Sequence, residues 1–116
     1  MSYTAEFYVT SAGRSPVEDF ILSLDIRTRK KFYYTKNLLE KFGYKLTQPH
    51  AKYIGDEIFE LRFKGAEGAV RVFYFFFNED RAILTNGFVK KTNKTPAQEK
   101  ETAIQRRKDY LERKDE

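Results

Sequence analysis

The chain has no cysteine, a single histidine, 3 prolines and 6 glycines among 116 residues. Without cysteine there is no disulfide, no thiolate metal site and no thiol nucleophile, and the composition suits a reducing compartment. One histidine, His50, cannot build a histidine-rich metal centre. No apolar run approaches the roughly 20 residues of a membrane-spanning helix. Glu6 interrupts the short apolar stretch near the N-terminus, so that stretch does not read as a secretory signal. The expectation is a cytoplasmic protein with no membrane, metal or cofactor. No repeat, low-complexity tract or linker divides the sequence, and a chain this short fills one core, so residues 1–116 are expected to form a single domain.

What is present is charge and aromatic mass. Charged residues are 34% of the chain and aromatic residues 16%, with 22 Lys and Arg against 17 Asp and Glu. The net charge of +5 favours polyanionic partners or an acidic protein. Aromatic and β-branched density peaks between Glu60 and Thr92. Glu60 to Lys64 and Ala69 to Phe77 flank a turn at Gly65 to Gly68, and Arg81 to Val89 follows a turn at Asn78 to Asp80. This pattern predicts two hairpins in an antiparallel sheet. Tyr3 to Val9 reads as a further strand, joining at an edge or in the middle, for a sheet of about four strands.

Helix signals flank the sheet. Ser15 as N-cap, Pro16 at the first helical position and Glu18 as capping-box partner start a first helix, with Val17, Phe20, Ile21 and Leu24 as its apolar stripe. Asp25 starts a second, running to Phe42 and stopped by Gly43. Its apolar side is Phe32, Leu38, Leu39 and Phe42; Arg27, Arg29, Lys30, Lys31 and Lys36 make a cationic face that reads first as solvated surface. Tyr44 to Gly55 loses periodicity and reads as a loop containing Gln48-Pro49-His50. A lone loop histidine near neutrality could act as a base, but incidental placement is the simpler reading. Thr95, Pro96 and Gln98 start a C-terminal helix to about Arg113, thinly apolar and therefore expected to be weakly anchored, with Lys114, Asp115 and Glu116 fraying.

The hairpin registers make a geometric prediction. With Lys64 opposite Ala69, Arg62 falls opposite Arg71; with Phe77 opposite Arg81, Gly87 falls beside Arg71 and leaves space there. Directly opposed like charges cost up to about 1 kcal/mol. Either Glu60, on the same face, or a bound phosphate offsets that cost. Phe73, Phe75 and Phe77 share the face of Arg71, while Val70, Val72, Tyr74 and Phe76 share the other, so this strand should be central and covered on both sides. Lys90 and Lys91 would extend the cationic cluster into one anion site. Lys52, Tyr53, Lys94 and Phe73 are candidates for RNA contact, since phosphates pair with cations and splayed bases stack on rings.

Glu60-Leu61-Arg62, Arg71-Val72-Phe73-Tyr74, and Gly87 to Thr92 followed by Lys94-Thr95-Pro96 resemble the HigB-like, phage-associated branch of the RelE/ParE toxin superfamily. The resemblance implies an α+β, RelE-like microbial RNase fold: an antiparallel sheet, two N-terminal helices packed on it and a C-terminal helix. It implies a type II toxin, a ribosome-dependent and metal-free endoribonuclease acting on mRNA, with a cognate antitoxin of helix-turn-helix type. Arg71 and Arg62 would clamp the phosphate, Lys90 and Lys91 would stabilise charge or donate a proton, and Lys52 would act as base or phosphate contact. The same scaffold also carries ParE-like inhibitors of DNA gyrase, and a non-catalytic RNA-binding or corepressor module is a third possibility. An antitoxin segment is expected to cover apolar surface beside the third helix.

Overall fold

The computed structural model describes residues 2–114. Its elements are β1 (Thr4–Phe7), α1 (Pro16–Leu22), α2 (Ile26–Phe42), a 3-10 turn (Gly43–Lys45), β2 (Ala51–Gly55), β3 (Ile58–Gly65), β4 (Gly68–Phe77), β5 (Arg81–Lys90) and α3 (Ala97–Lys114). The class is α+β with the expected helices, but the sheet has five strands in the order β1-β5-β4-β3-β2. It is also mixed, because β1 lies parallel to β5 at one edge while the other pairs are antiparallel. The additional strand, β2, lies in the stretch read as loop. It alternates poorly because it is an edge strand whose Lys52 and Tyr53 are both exposed.

The helix starts differ in chemistry. Asp25 caps α2 as read, accepting from Thr28 N at 3.2 Å and from the Thr28 hydroxyl at 2.5 Å. Ser15 is extended at the N-cap position of α1 but makes no side-chain cap bond, so the capping box does not form. Pro16 and the buried Val17 and Ile21 define that helix instead. In α2 the buried stripe is Thr28, Phe32, Thr35 and Leu39, and Phe42, expected in the core, is exposed. Part of the cationic run is used internally: Arg29 donates to the carbonyls of Leu24 and Leu22 at 2.8 and 2.6 Å, closing the α1 C-terminus.

Both faces of the sheet are covered. Val70, Val72 and Tyr74 pack with Val17, Ile21 and Phe32 under α1 and α2, while Phe73, Phe75 and Ile83 pack with Ala103 under α3. Central β4 is thus buried on both sides, as its sequence indicates. The apolar anchoring of α3 is thin, as its sequence indicates, with Ala103 the buried residue of the helix among those described. Its few apolar contacts are joined by polar ones: Tyr8 Oη donates to Asp109 at 2.5 Å, Arg106 to the Thr85 carbonyl at 2.8 Å, and Arg113 to the Val9 carbonyl at 2.6 Å. Tyr110 adds edge contacts to Phe75 and Phe77. The large exposed apolar residues Leu22, Ile26, Tyr33 and Tyr34 lie on α1 and α2 and at their junction, so the expected apolar surface beside α3 is not where most of this exposure falls. Helical structure extends to Lys114; Asp115 and Glu116 lie outside the described residues.

Candidate functional site

The β3–β4 hairpin pairs Gly65 with Gly68, Lys64 with Ala69 and Arg62 with Arg71. Its tip is bound to α2: Ala66 N donates to Thr28 Oγ1 at 3.3 Å, and a Cβ on Gly65 would meet that hydroxyl at 2.4 Å. This close approach sets the height of the two arginines relative to α2.

Between the arginines lies Glu60, 2% exposed. Its Oε2 is 3.5 Å from Arg62 Nε and its Oε1 is 3.7 Å from Arg71 Nε. One carboxylate therefore serves two guanidiniums, and neither contact is a good hydrogen bond. Glu60 Oε1 and Arg71 Nε are buried without a hydrogen-bonding partner among the described residues, an arrangement that costs free energy until something satisfies it. Arg71 Nη1 donates to the Val70 carbonyl at 3.0 Å. Burial, and next the charge of Arg62, hold the Arg71 guanidinium below its ordinary pKa, with Glu60 opposing.

The last strand supplies two lysines. Arg62, Arg71, Lys90 and Lys91 line one depression of about 420 Å³, with Thr92 and Asn93 at its end. The convergence comes from Lys90 pairing with Ala69, two residues from Arg71 along β4. Glu60 supplies one compensating negative charge to these four cations, so the depression carries a positive excess and attracts anions.

The position expected for Gly87 is corrected. A bulge between Phe73 and Tyr74 pairs Phe73 with Asn86 and Tyr74 with Leu84, leaving Thr85 as the extra residue. Gly87 consequently sits opposite Val72, and Phe88 faces Arg71. A Cβ at Gly87 would stand 2.5 Å from the Phe20 ring, so this glycine makes room for α1 rather than for a ligand.

The other candidate contacts separate. Lys52 pairs with Glu60 on the face of the arginines but is exposed and does not line the depression. Tyr53 pairs with Phe59 on the opposite face, its ring 4.9 Å from the Phe59 ring, so strand alternation turns it away from the cations. Phe73 is fully buried under α3 against Phe88 and cannot stack on a base. Lys94 is exposed in the loop before α3, outside the depression.

A second cavity, of about 540 Å³, adjoins the first. It is lined by Lys31, Tyr34, His50 and Phe63 and shares Arg62 and Arg71. The backbone places His50 there, since Arg62 N donates to the His50 carbonyl at 2.9 Å. Tyr34 carries no motif that marks it in the sequence; its one signal is an aromatic residue next to the cationic run of α2.

Among the described residues no group of three His, Asp or Glu side chains could hold a metal ion, and no helix is long and apolar enough to cross a membrane. The molecule is an α+β protein whose sheet presents an arginine–lysine depression near the tip of the β3–β4 hairpin, beside the end of β5. Residues 19–108, from α1 into α3, match the family described as Phage derived protein Gp49-like (DUF891), and the chain belongs to that family. The family lies within the RelE/HigB-like toxin superfamily. No curated protein matches the chain.

Proposed function

We propose that the protein is the toxin of a type II toxin–antitoxin pair, of the HigB-like branch, and cleaves mRNA on the ribosome without a metal. The observation that carries this reading is the convergence of Arg62, Arg71, Lys90 and Lys91 on one depression with a positive excess. In the proposed reaction the ribose 2′-hydroxyl gives up its proton to water as its oxygen attacks the adjacent phosphorus. The bond from phosphorus to the 5′-oxygen breaks, and a 2′,3′-cyclic phosphate remains. The phosphorane gains negative charge as it forms, and fixed cations stabilise it at about 3–4 kcal/mol per well-placed donor. Arg71, positioned by its Nη1 bond to the Val70 carbonyl and by the Glu60 carboxylate 3.7 Å from its Nε, is the principal clamp and Arg62 the second. A lysine of the Lys90–Lys91 pair protonates the leaving oxygen. The cognate antitoxin, of helix-turn-helix type, neutralises the protein when both are made.

Primer extension on a translated mRNA tests this. Wild-type protein is expected to produce discrete breaks, and Arg71→Ala to lower their rate by about 10²- to 10³-fold. Growth arrest with DNA damage and intact mRNA would refute the nuclease reading and indicate gyrase poisoning; intact mRNA without arrest would leave only a binding module.

A further inference from the structure

Arg62 and Arg71 line both cavities, so the two guanidiniums form a shared wall rather than the floor of a single site. On the side away from the lysines the chemistry changes. Tyr34 is 61% exposed, Phe63 and Pro49 supply apolar surface, and His50 stands edge-on to Tyr34 with ring centroids 6.5 Å apart. Among the described residues no acidic side chain lines this cavity. Its volume falls in the range of about 300–1,000 Å³ usual for small-molecule sites. Arg71, whose buried Nε faces Glu60 Oε1 at 3.7 Å with no hydrogen-bonding partner among the described residues, is common to the two linings.

An exposed ring flanked by cations and joined to a cationic depression is the combination by which proteins hold single strands: charge follows the backbone, and a ring carries a base. We propose that the Tyr34–His50 cavity is a nucleobase subsite, taking the base of a nucleotide next to the phosphate gripped by Arg62, Arg71 and the lysines. Tyr34 is the stacking platform, and His50 closes the cavity. The subsite deepens the nuclease reading and rests on it only for the identity of the phosphate.

The test is fluorescence anisotropy of the full chain with labelled single-stranded RNA of about eight nucleotides, titrated over a range of salt. Loss of one base–ring stack weakens binding by about 5- to 150-fold. Tyr34→Ala is expected to show such a loss with an unchanged salt slope, because no phosphate contact is removed, and Tyr34→Phe to retain wild-type affinity. Arg71→Ala is expected to reduce the salt slope by about 0.7. If Tyr34→Ala binds as wild type does, the base subsite is refuted, and Arg71→Ala then reports separately: a reduced slope leaves the phosphate site standing, an unchanged one removes both. A Tyr34→Ala protein that binds RNA normally but loses its neighbour-encoded antitoxin overturns the proposal in favour of a protein interface. Since Tyr34 is largely exposed, far-ultraviolet circular dichroism is expected to match the wild type, which separates these outcomes from misfolding.

Discussion

Replacing Glu60 by glutamine tests the electrostatics of the site most directly. The substitution keeps volume and removes one negative charge that faces Arg62 Nε at 3.5 Å and Arg71 Nε at 3.7 Å. At an effective dielectric constant of about 20, each ion pair is worth about 4–5 kcal/mol before desolvation is counted. Release of the buried carboxylate's desolvation penalty returns part of this, whereas the repulsion between the arginines becomes uncompensated. Breaking a buried pair by removing one partner typically costs about 3–5 kcal/mol. With Arg62 27% exposed and thus partly screened, we expect the lower end, about 3 kcal/mol. Urea unfolding at low ionic strength measures it. A phosphate ion can take the place of the lost carboxylate, so inorganic phosphate is expected to stabilise Glu60→Gln more than the wild type, beyond a chloride control of equal ionic strength. The same variant is expected to bind single-stranded RNA more tightly. Two results would refute the reasoning: a variant within about 0.5 kcal/mol of wild type, or equal effects of phosphate and chloride on the two proteins.

Two further predictions concern elements that hold the site in place. Gly87→Ala drives a methyl group to within 2.5 Å of the Phe20 ring and is expected to cost about 1–3 kcal/mol in thermal unfolding while leaving RNA affinity unchanged; a loss of affinity without a loss of stability would restore Gly87 to the ligand side. The Tyr8–Asp109 contact makes the seating of α3 dependent on pH. The Tyr8 hydroxyl, and then Arg113, hold Asp109 below its ordinary pKa of 3.8, so its contribution is complete above that value and is lost as pH falls through the depressed one. Burial, and then Asp109, raise Tyr8 above 10.0, so its contribution is complete below 10.0 and is lost as pH rises through the raised value. Asp109→Asn is expected to flatten the acid limb of melting temperature against pH; parallel curves for the two proteins would contradict the assignment.

Much of the frame is legible in residues that act over a few positions. Pro16 and the Val17–Ile21 spacing, the Asp25 cap, the Gly43 stop and the aromatic run of β4 each specify local geometry without help from distant chain. The Arg62–Arg71 pairing belongs with them, since a hairpin closed by Gly65 and Gly68 has its register set by its own turn. Contacts that join remote segments leave no such periodic trace. The bulge at Thr85 is held where the Thr85 hydroxyl donates to Asn86 Oδ1, Arg106 donates to the Thr85 carbonyl, and Asn86 Nδ2 donates to Glu99. That single inserted residue moves Gly87 away from Arg71. Tyr8 and Asp109 lie 101 positions apart, so the fastening of α3 depends on a meeting that only the folded chain creates.

The sequence by itself determined the three helices, the strands β1, β3, β4 and β5 and the faces of the β3–β4 hairpin, whereas β2 and the bulge at Thr85 came with the tertiary structure. Tertiary structure decided which side chains meet at the site: it buried Phe73 under α3 and brought Tyr34 and His50 beside the arginines. The reason is physical. Strand and helix periodicities follow from the backbone, whereas access to a site depends on what the rest of the chain packs against it.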